Sequence, residues 1–180
     1  MKKNVFVFGT ISGVILTSMM LYACIECYTN PDMKSNDILG YAGMIAAFSF
    51  IYIGIRNYRD KYNSGAITFG KAFKTGFYMS LVASTICVGV WLVDYYIFIP
   101  DFLDKYILHV MKEAKADGAT EAELREKAAE MANYKEMYRN PAFVVIISYL
   151  EILPPGVVIS LISALLLKRK PGSANVVVTN

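Results

Sequence analysis

Glu151 is the residue whose type and position most demand a chemical explanation. It lies eight positions beyond Phe143 in an apolar run that ends at Leu167, about 12 Å along a helix by helical rise. A carboxylate deep in a hydrocarbon layer costs on the order of 2.5 to 3.5 kcal/mol at a span centre and less off centre, so a compensating partner is expected. Pro154 and Pro155 follow. Lacking N–H groups, they leave the carbonyls of Leu150 and Glu151 without helical partners and are expected to kink the helix there. A carboxylate beside two freed carbonyls could hold a proton, a cation or a polar neighbour. The plainer expectation is a protonated Glu151 bonded to a Ser, Thr or Tyr of an adjacent helix, because an ion pathway usually needs more than one such group.

Cys24 and Cys27 form a Cys-x-x-Cys pair around Glu26. The reactive thiol of a redox pair sits at a helix N-terminus, where the dipole lowers its pKa, whereas this pair falls at the end of an apolar run. Zinc would need two further ligands, and the sole His109 with one carboxylate is a thin supply. Packing residues or an incidental disulfide are therefore expected, with neither metal nor cofactor. Asp94, counted from Lys74, falls near the headgroup level beside Trp91 and Tyr95. Gly65 to Ala72 has the spacing of a phosphate-binding loop, but Ala72 replaces the hydroxyl that coordinates magnesium and no strand precedes it, so no nucleotide is expected. Its physical reading is an inner interfacial segment over 56–74, in which Phe69 and Phe73 dip into lipid while Lys71 and Lys74 meet anionic headgroups.

The elements that must hold these residues are apolar runs over about 5–25, 38–55, 75–99 and 143–167. Each is long enough, at 1.5 Å rise per residue, to cross or nearly cross a layer roughly 30 Å thick. With 56% hydrophobic and 18% charged residues in a chain of 180, the composition is too apolar for an ordinary soluble domain, where about 25% is charged. The fold class predicted is all-α, a single membrane domain over 1–170 with four transmembrane helices. An outer helical hairpin is expected over 101–139 and a disordered cytoplasmic tail over 171–180. In the hairpin, Thr120 and Glu123 form a capping box that opens the second helix. Gly9 and Gly13, and again Gly76, Ser80 and Ser84, have the small-xxx-small spacing that lets helix backbones approach closely in lipid.

Ten of the eighteen Lys and Arg residues fall in three clusters, around Lys2, between Arg56 and Lys74, and around Arg169. The short loop after the first run carries only Lys34, and the hairpin carries the remaining seven among nine acids. The positive-inside rule then puts both termini in the cytoplasm of a multi-pass protein of a bacterial inner membrane. The net charge of +3 is explained by those clusters, so no nucleic-acid partner is expected. Leu21, Tyr22, Ala23 and Cys24 are similar to a lipoprotein cleavage box, but Tyr22 stands where a small residue is required and three more apolar runs follow.

Gly65, Ile67, Thr68, Phe69, Gly70, Lys71, Ala72, Phe73, Lys74 and Gly76 resemble the inner-loop signature of a family of uncharacterised four-span membrane proteins common in Bacteroidetes, a domain of unknown function. Pro100, Asp101 and Phe102 and the charged hairpin extend the resemblance. It implies the topology and transfers no catalytic residue. With one His and no nucleophile beside a base, enzyme chemistry has little to work with. The function expected is a non-enzymatic interaction or structural component whose partners are the bilayer, a second copy or another membrane protein. The alternative is a small oligomeric transporter built on Glu151, Pro154 and Pro155.

Overall fold

A computed structural model describes residues 1–29 and 37–169, apart from the side chains of Cys27, Asp37, Ile38 and Leu39. The expected tail over 171–180, Lys34 and Lys170 lie outside the described residues. The described chain is all-α, with helices α1 (Lys2–Thr29), α2 (Asp37–Tyr62), α3 (Phe69–Val93), α4 (Phe102–Ala116), α5 (Glu121–Met137) and α6 (Pro141–Leu167). A π-helical turn, Asp94–Phe98, extends α3, and the Ile99 N–H closes it by donating to the Asp94 carbonyl at 2.9 Å.

Helices α1, α3, α6 and α2 pack in a ring, with α2 also touching α3 across it. A Cβ added at Gly9 would meet Val82 and one at Gly13 would meet Ala83 and Ile86, so α1 and α3 run parallel and are pressed together at the spacing read from sequence. Gly76 meets Ser160, and Gly156 meets Ser80, which sets α3 and α6 antiparallel. Asn4 closes the ring at one end, its amide donating to the Gly54 carbonyl at 2.7 Å while itself 5% exposed.

This ring buries small polar residues within an apolar core and turns large apolar side chains outward. Ser12, Ser80, Ser84, Ser160 and Ser163 are buried, while Phe6, Val14, Ile45, Leu150, Leu165 and Leu166 point outward. Hydrocarbon outside explains both choices, since small residues allow close approach and aliphatic side chains lose nothing by facing lipid. Among the described residues three segments, Lys2–Glu26, Phe69–Phe98 and Pro141–Leu167, are long and apolar enough to cross a membrane, as in a membrane protein. The last has a mean hydropathy of 2.1, yet only 17% of its most apolar stretch is buried, so its apolar surface is not there to fill a core.

The expected fourth span over 38–55 is not among these three. Helix α2 reaches the polar run Arg56, Asn57, Arg59, Asp60 and Lys61 within its own length, and the side chains of Ile38 and Leu39 lie outside the described residues. It is nonetheless a full member of the ring, with Ala47, Phe48, Ile51 and Ile55 all at 0% exposure.

Candidate functional site

Helix α6 does not break at its prolines. It continues from Pro141 to Leu167 with Pro154 and Pro155 inside it, so a kink at the prolines would bend the helix without interrupting it. The continuation has a tertiary cause. Gly156 is clamped between α3 and α2, where an added Cβ would lie 2.8 Å from Ser80 Oγ and 2.9 Å from the Phe48 ring. The proline φ near −65° is itself helical, and packed neighbours hold the turn that the lost hydrogen bonds no longer hold.

The buried face of α6 is the stripe Ser148, Ile152, Gly156, Ser160, Ser163 and Leu167. Glu151 lies off that stripe and is exposed on the outside of the bundle. It lines a shallow groove of about 620 Å³ with Tyr41 and Ile45 of α2 and with Leu150, Pro154, Pro155 and Val158 of α6. The Ser, Thr or Tyr partner expected for it on an adjacent helix is not found among the described residues, and the nearby hydroxyl of α6 itself, Tyr149 OH, lies 2.8 Å from Thr85 Oγ1 of α3. Among the described residues no hydrogen bond or ion pair reaches the Glu151 carboxyl. The structure thus brings Glu151, Pro154 and Pro155 together as expected, but on an outward face.

At one end of the ring the hairpin of α4 and α5 stands on an aromatic floor. Trp91 meets Phe102 edge-on at 5.2 Å, Tyr95 meets Tyr138 at 5.6 Å, and Tyr138 meets Phe143 at 5.9 Å. Leu103 and Val144 are buried in this cluster. Burial pushes the Tyr138 phenol well above its ordinary range, and its hydroxyl lies 3.2 Å from that of Tyr134. Lys105 ties α4 to α1 with its ammonium 3.3 Å from the Tyr28 ring centroid, and Lys135 pairs with Asp104 across the hairpin. The capping box is formed: Thr120 Oγ1 accepts from the Glu123 N–H, and Glu123 accepts from the Thr120 N–H at 2.7 Å. That bond holds the Glu123 carboxyl below its usual range. Helix α5 buries none of its residues and presents Glu126, Lys127, Glu130 and Asn133 to solvent.

At the opposite end the signature residues form a knot. Gly65 takes φ +75°, and its N–H donates to the Arg59 carbonyl at 3.0 Å, turning the chain off α2. Ile67, 2% exposed, exchanges two backbone hydrogen bonds with Arg169 at 3.0 and 2.9 Å, binding the loop to the end of α6. Thr68 caps α3. Lys71 donates to Asn63 Oδ1 at 2.7 Å and lies 5.6 Å from the Tyr58 ring, while the Asn63 amide donates to the Ala66 carbonyl. The Arg59 guanidinium, bonded to Asp60 at 2.6 Å, holds that carboxyl below the usual range. Lys71 is therefore partly engaged within the loop, whereas Phe69 and Phe73 stack at 6.2 Å and Lys74 sits 5.9 Å over the Tyr78 ring. Asn4, Arg56, Lys71 and Arg169 share this end, so the three basic clusters are gathered at one end of the ring.

The remaining candidates stay apart. Cys24 is buried, the Cys27 side chain lies outside the described residues, and Glu26 and Asp94 are half-buried. No three His, Cys, Asp or Glu side chains converge as metal ligands among the described residues. Sequence reasoning missed Asn4, Asn63 and the Gly156–Ser160 pair; the last repeats the four-residue spacing already noted in α3. It also missed Tyr41, whose place opposite Glu151 has no local signal.

No curated protein and no solved structure matches the chain. A family model described as protein of unknown function (DUF4199) matches residues 7–169, the stretch that holds the ring, the hairpin and the knot. The chain belongs to the DUF4199 family.

Proposed function

We propose that this is a non-enzymatic, multi-pass protein of a bacterial inner membrane whose hairpin serves as a docking platform for another membrane or envelope component. The observation that carries the reading is a contrast within the hairpin. Its base is fixed by the aromatic floor, where Tyr134 of α5 meets Phe143, by Lys105 on Tyr28 and by Lys135 on Asp104, yet Glu126, Lys127, Glu130 and Asn133 of α5 stay exposed. A rigidly mounted helix with a free polar face is suited to recognition. In this reading α2 is the fourth span, supported by its membership of the ring and by outward-facing Tyr41, Ile45 and Ile53. The gathering of the basic clusters at one end supports placing that end and both termini in the cytoplasm. Phe69, Phe73 and Lys74 then rest at the inner lipid interface, with Lys71 beside them. Photocrosslinkers placed singly at Glu126, Glu130 and Asn133 in native membranes should capture one discrete partner. Absence of an adduct at all three positions contradicts the platform.

A second reading, transport, is favoured by one observation: an acid beside two prolines in a groove. Since Glu151 faces away from the bundle axis, any pathway through it would run between chains. Glu151→Gln should then alter ion or solute flux in reconstituted vesicles, and unchanged flux removes this reading.

A further inference from the structure

We infer that the Glu151 groove is the contact face of a homodimer, in which Tyr41 of each copy donates a hydrogen bond to Glu151 of the other. This rests on the reading of α2 and α6 as membrane helices but not on which way they point.

Exposure of a carboxyl in the most apolar helix sets the problem. Protonated or ionised, the group loses hydrogen bonds when it faces acyl chains, and lipid tails offer none in return. The carbonyls of Leu150 and Glu151 compound the need, because Pro154 and Pro155 give them no i+4 donor. The face therefore calls for a hydrogen-bond donor carried on an apolar body. One stands on the same groove: Tyr41, 59% exposed, has a phenol that donates and a ring that packs well against proline and aliphatic carbon.

The pairing is self-complementary, which singles out a second copy. A two-fold axis along the bundle keeps every residue at its own depth, so the Tyr41 of a partner arrives at the level of the groove that Tyr41 and Glu151 both line. Donor and acceptor are both present on each copy, and the same operation that satisfies one Glu151 satisfies the other. Ile45 and Val158 flank the pair on either helix and supply apolar contact, with the depression beside the prolines making room for the incoming ring.

The test uses the full chain reconstituted in phosphatidylcholine vesicles over a range of protein-to-lipid ratios, with single-molecule photobleaching to count copies. A dimer is expected, and mixed Ile45→Cys and Val158→Cys chains should crosslink to each other. Interhelical hydrogen bonds in membranes are worth enough that losing two symmetric ones, through Tyr41→Phe or Glu151→Leu, should weaken association roughly ten-fold to a few hundred-fold. Glu151→Gln, which keeps an acceptor, should stay within about three-fold of the parent on the same scale. Helical content by circular dichroism, unchanged across the set, separates lost association from lost fold. A monomer at every ratio overturns the inference. So does a dimer indifferent to Tyr41→Phe and Glu151→Leu, or a lipid or foreign protein found on the face instead. Alkaline extraction keeps the two readings distinguishable: a chain released from membranes sinks the membrane reading, whereas a retained monomer sinks only the dimer.

Discussion

Ser80 Oγ and Ser160 Oγ lie 3.1 Å apart where α3 crosses α6, each hydroxyl one turn beyond a glycine of its own helix. Ser160 donates to the Gly156 carbonyl at 2.7 Å, which leaves the Ser80 proton for Ser160 or for the Gly76 carbonyl at 3.1 Å. The two Gly-xxx-Ser steps interlock antiparallel, so that each glycine receives the serine of the other helix.

That crossing should be the least forgiving point of the bundle. Gly156→Ala puts a methyl 2.8 Å from Ser80 Oγ and should destabilise the protein by about 1 to 3 kcal/mol, the usual cost of overpacking. Gly40→Ala in α2 meets nothing within 4 Å and should be neutral or slightly stabilising. Unfolding titrations in bicelles compare the two.

The inner knot predicts a similar contrast. Gly65→Ala forces an alanine to φ +75° and should cost about 1 to 2 kcal/mol, whereas Gly70→Ala, in open space at the start of α3, should cost nothing measurable. Thermal melting in detergent reads the difference. Equal melting of both variants would remove the turn from the account of the signature.

Docking of the hairpin can be followed through Trp91, the single tryptophan, which Phe102 covers edge-on. Tyr28→Ala removes the ring under Lys105 and should loosen α4 by about 0.5 to 2 kcal/mol, raising acrylamide quenching of Trp91. Tyr28→Phe keeps a ring and should quench as the parent does.

Acidification should fray the start of α5 before the rest of the hairpin. The Glu123 pKa is lowered in the folded chain, so its contribution is present above the ordinary glutamate range and is lost as pH falls through the depressed value. Protection factors for the backbone amides at Thr120 and Glu123 should therefore drop on acidification, and Glu123→Gln should flatten that dependence.

The all-α class was legible, and so were the helix ends at Lys3 and Lys168, because membrane solvation acts on each apolar run by itself, whereas α2 runs on past Arg56 to Tyr62 and α3 begins at Phe69, ahead of Lys74. The capping box at Thr120 and Glu123 was legible because both partners lie within one turn. Which way Glu151 points was not, since that depends on Gly156 seating against Ser80 and Phe48 in two other helices. The same holds for the prolines, whose local rule predicts a kink but does not say that the helix continues through them to Leu167. The Ile67 to Arg169 bridge joins residues far apart in the sequence and has no local pattern. The signature loop could be recognised before its purpose could be seen.

The central claim is that the hairpin and the basic end of the ring lie on opposite sides of a membrane. It is tested by labelling single cysteines at Asn133 on α5 and at exposed Lys61, in a chain otherwise free of cysteine, with an impermeant maleimide on intact cells. The account predicts label at position 133 and none at 61 until the cells are opened. Label at 61 but not at 133 would contradict it.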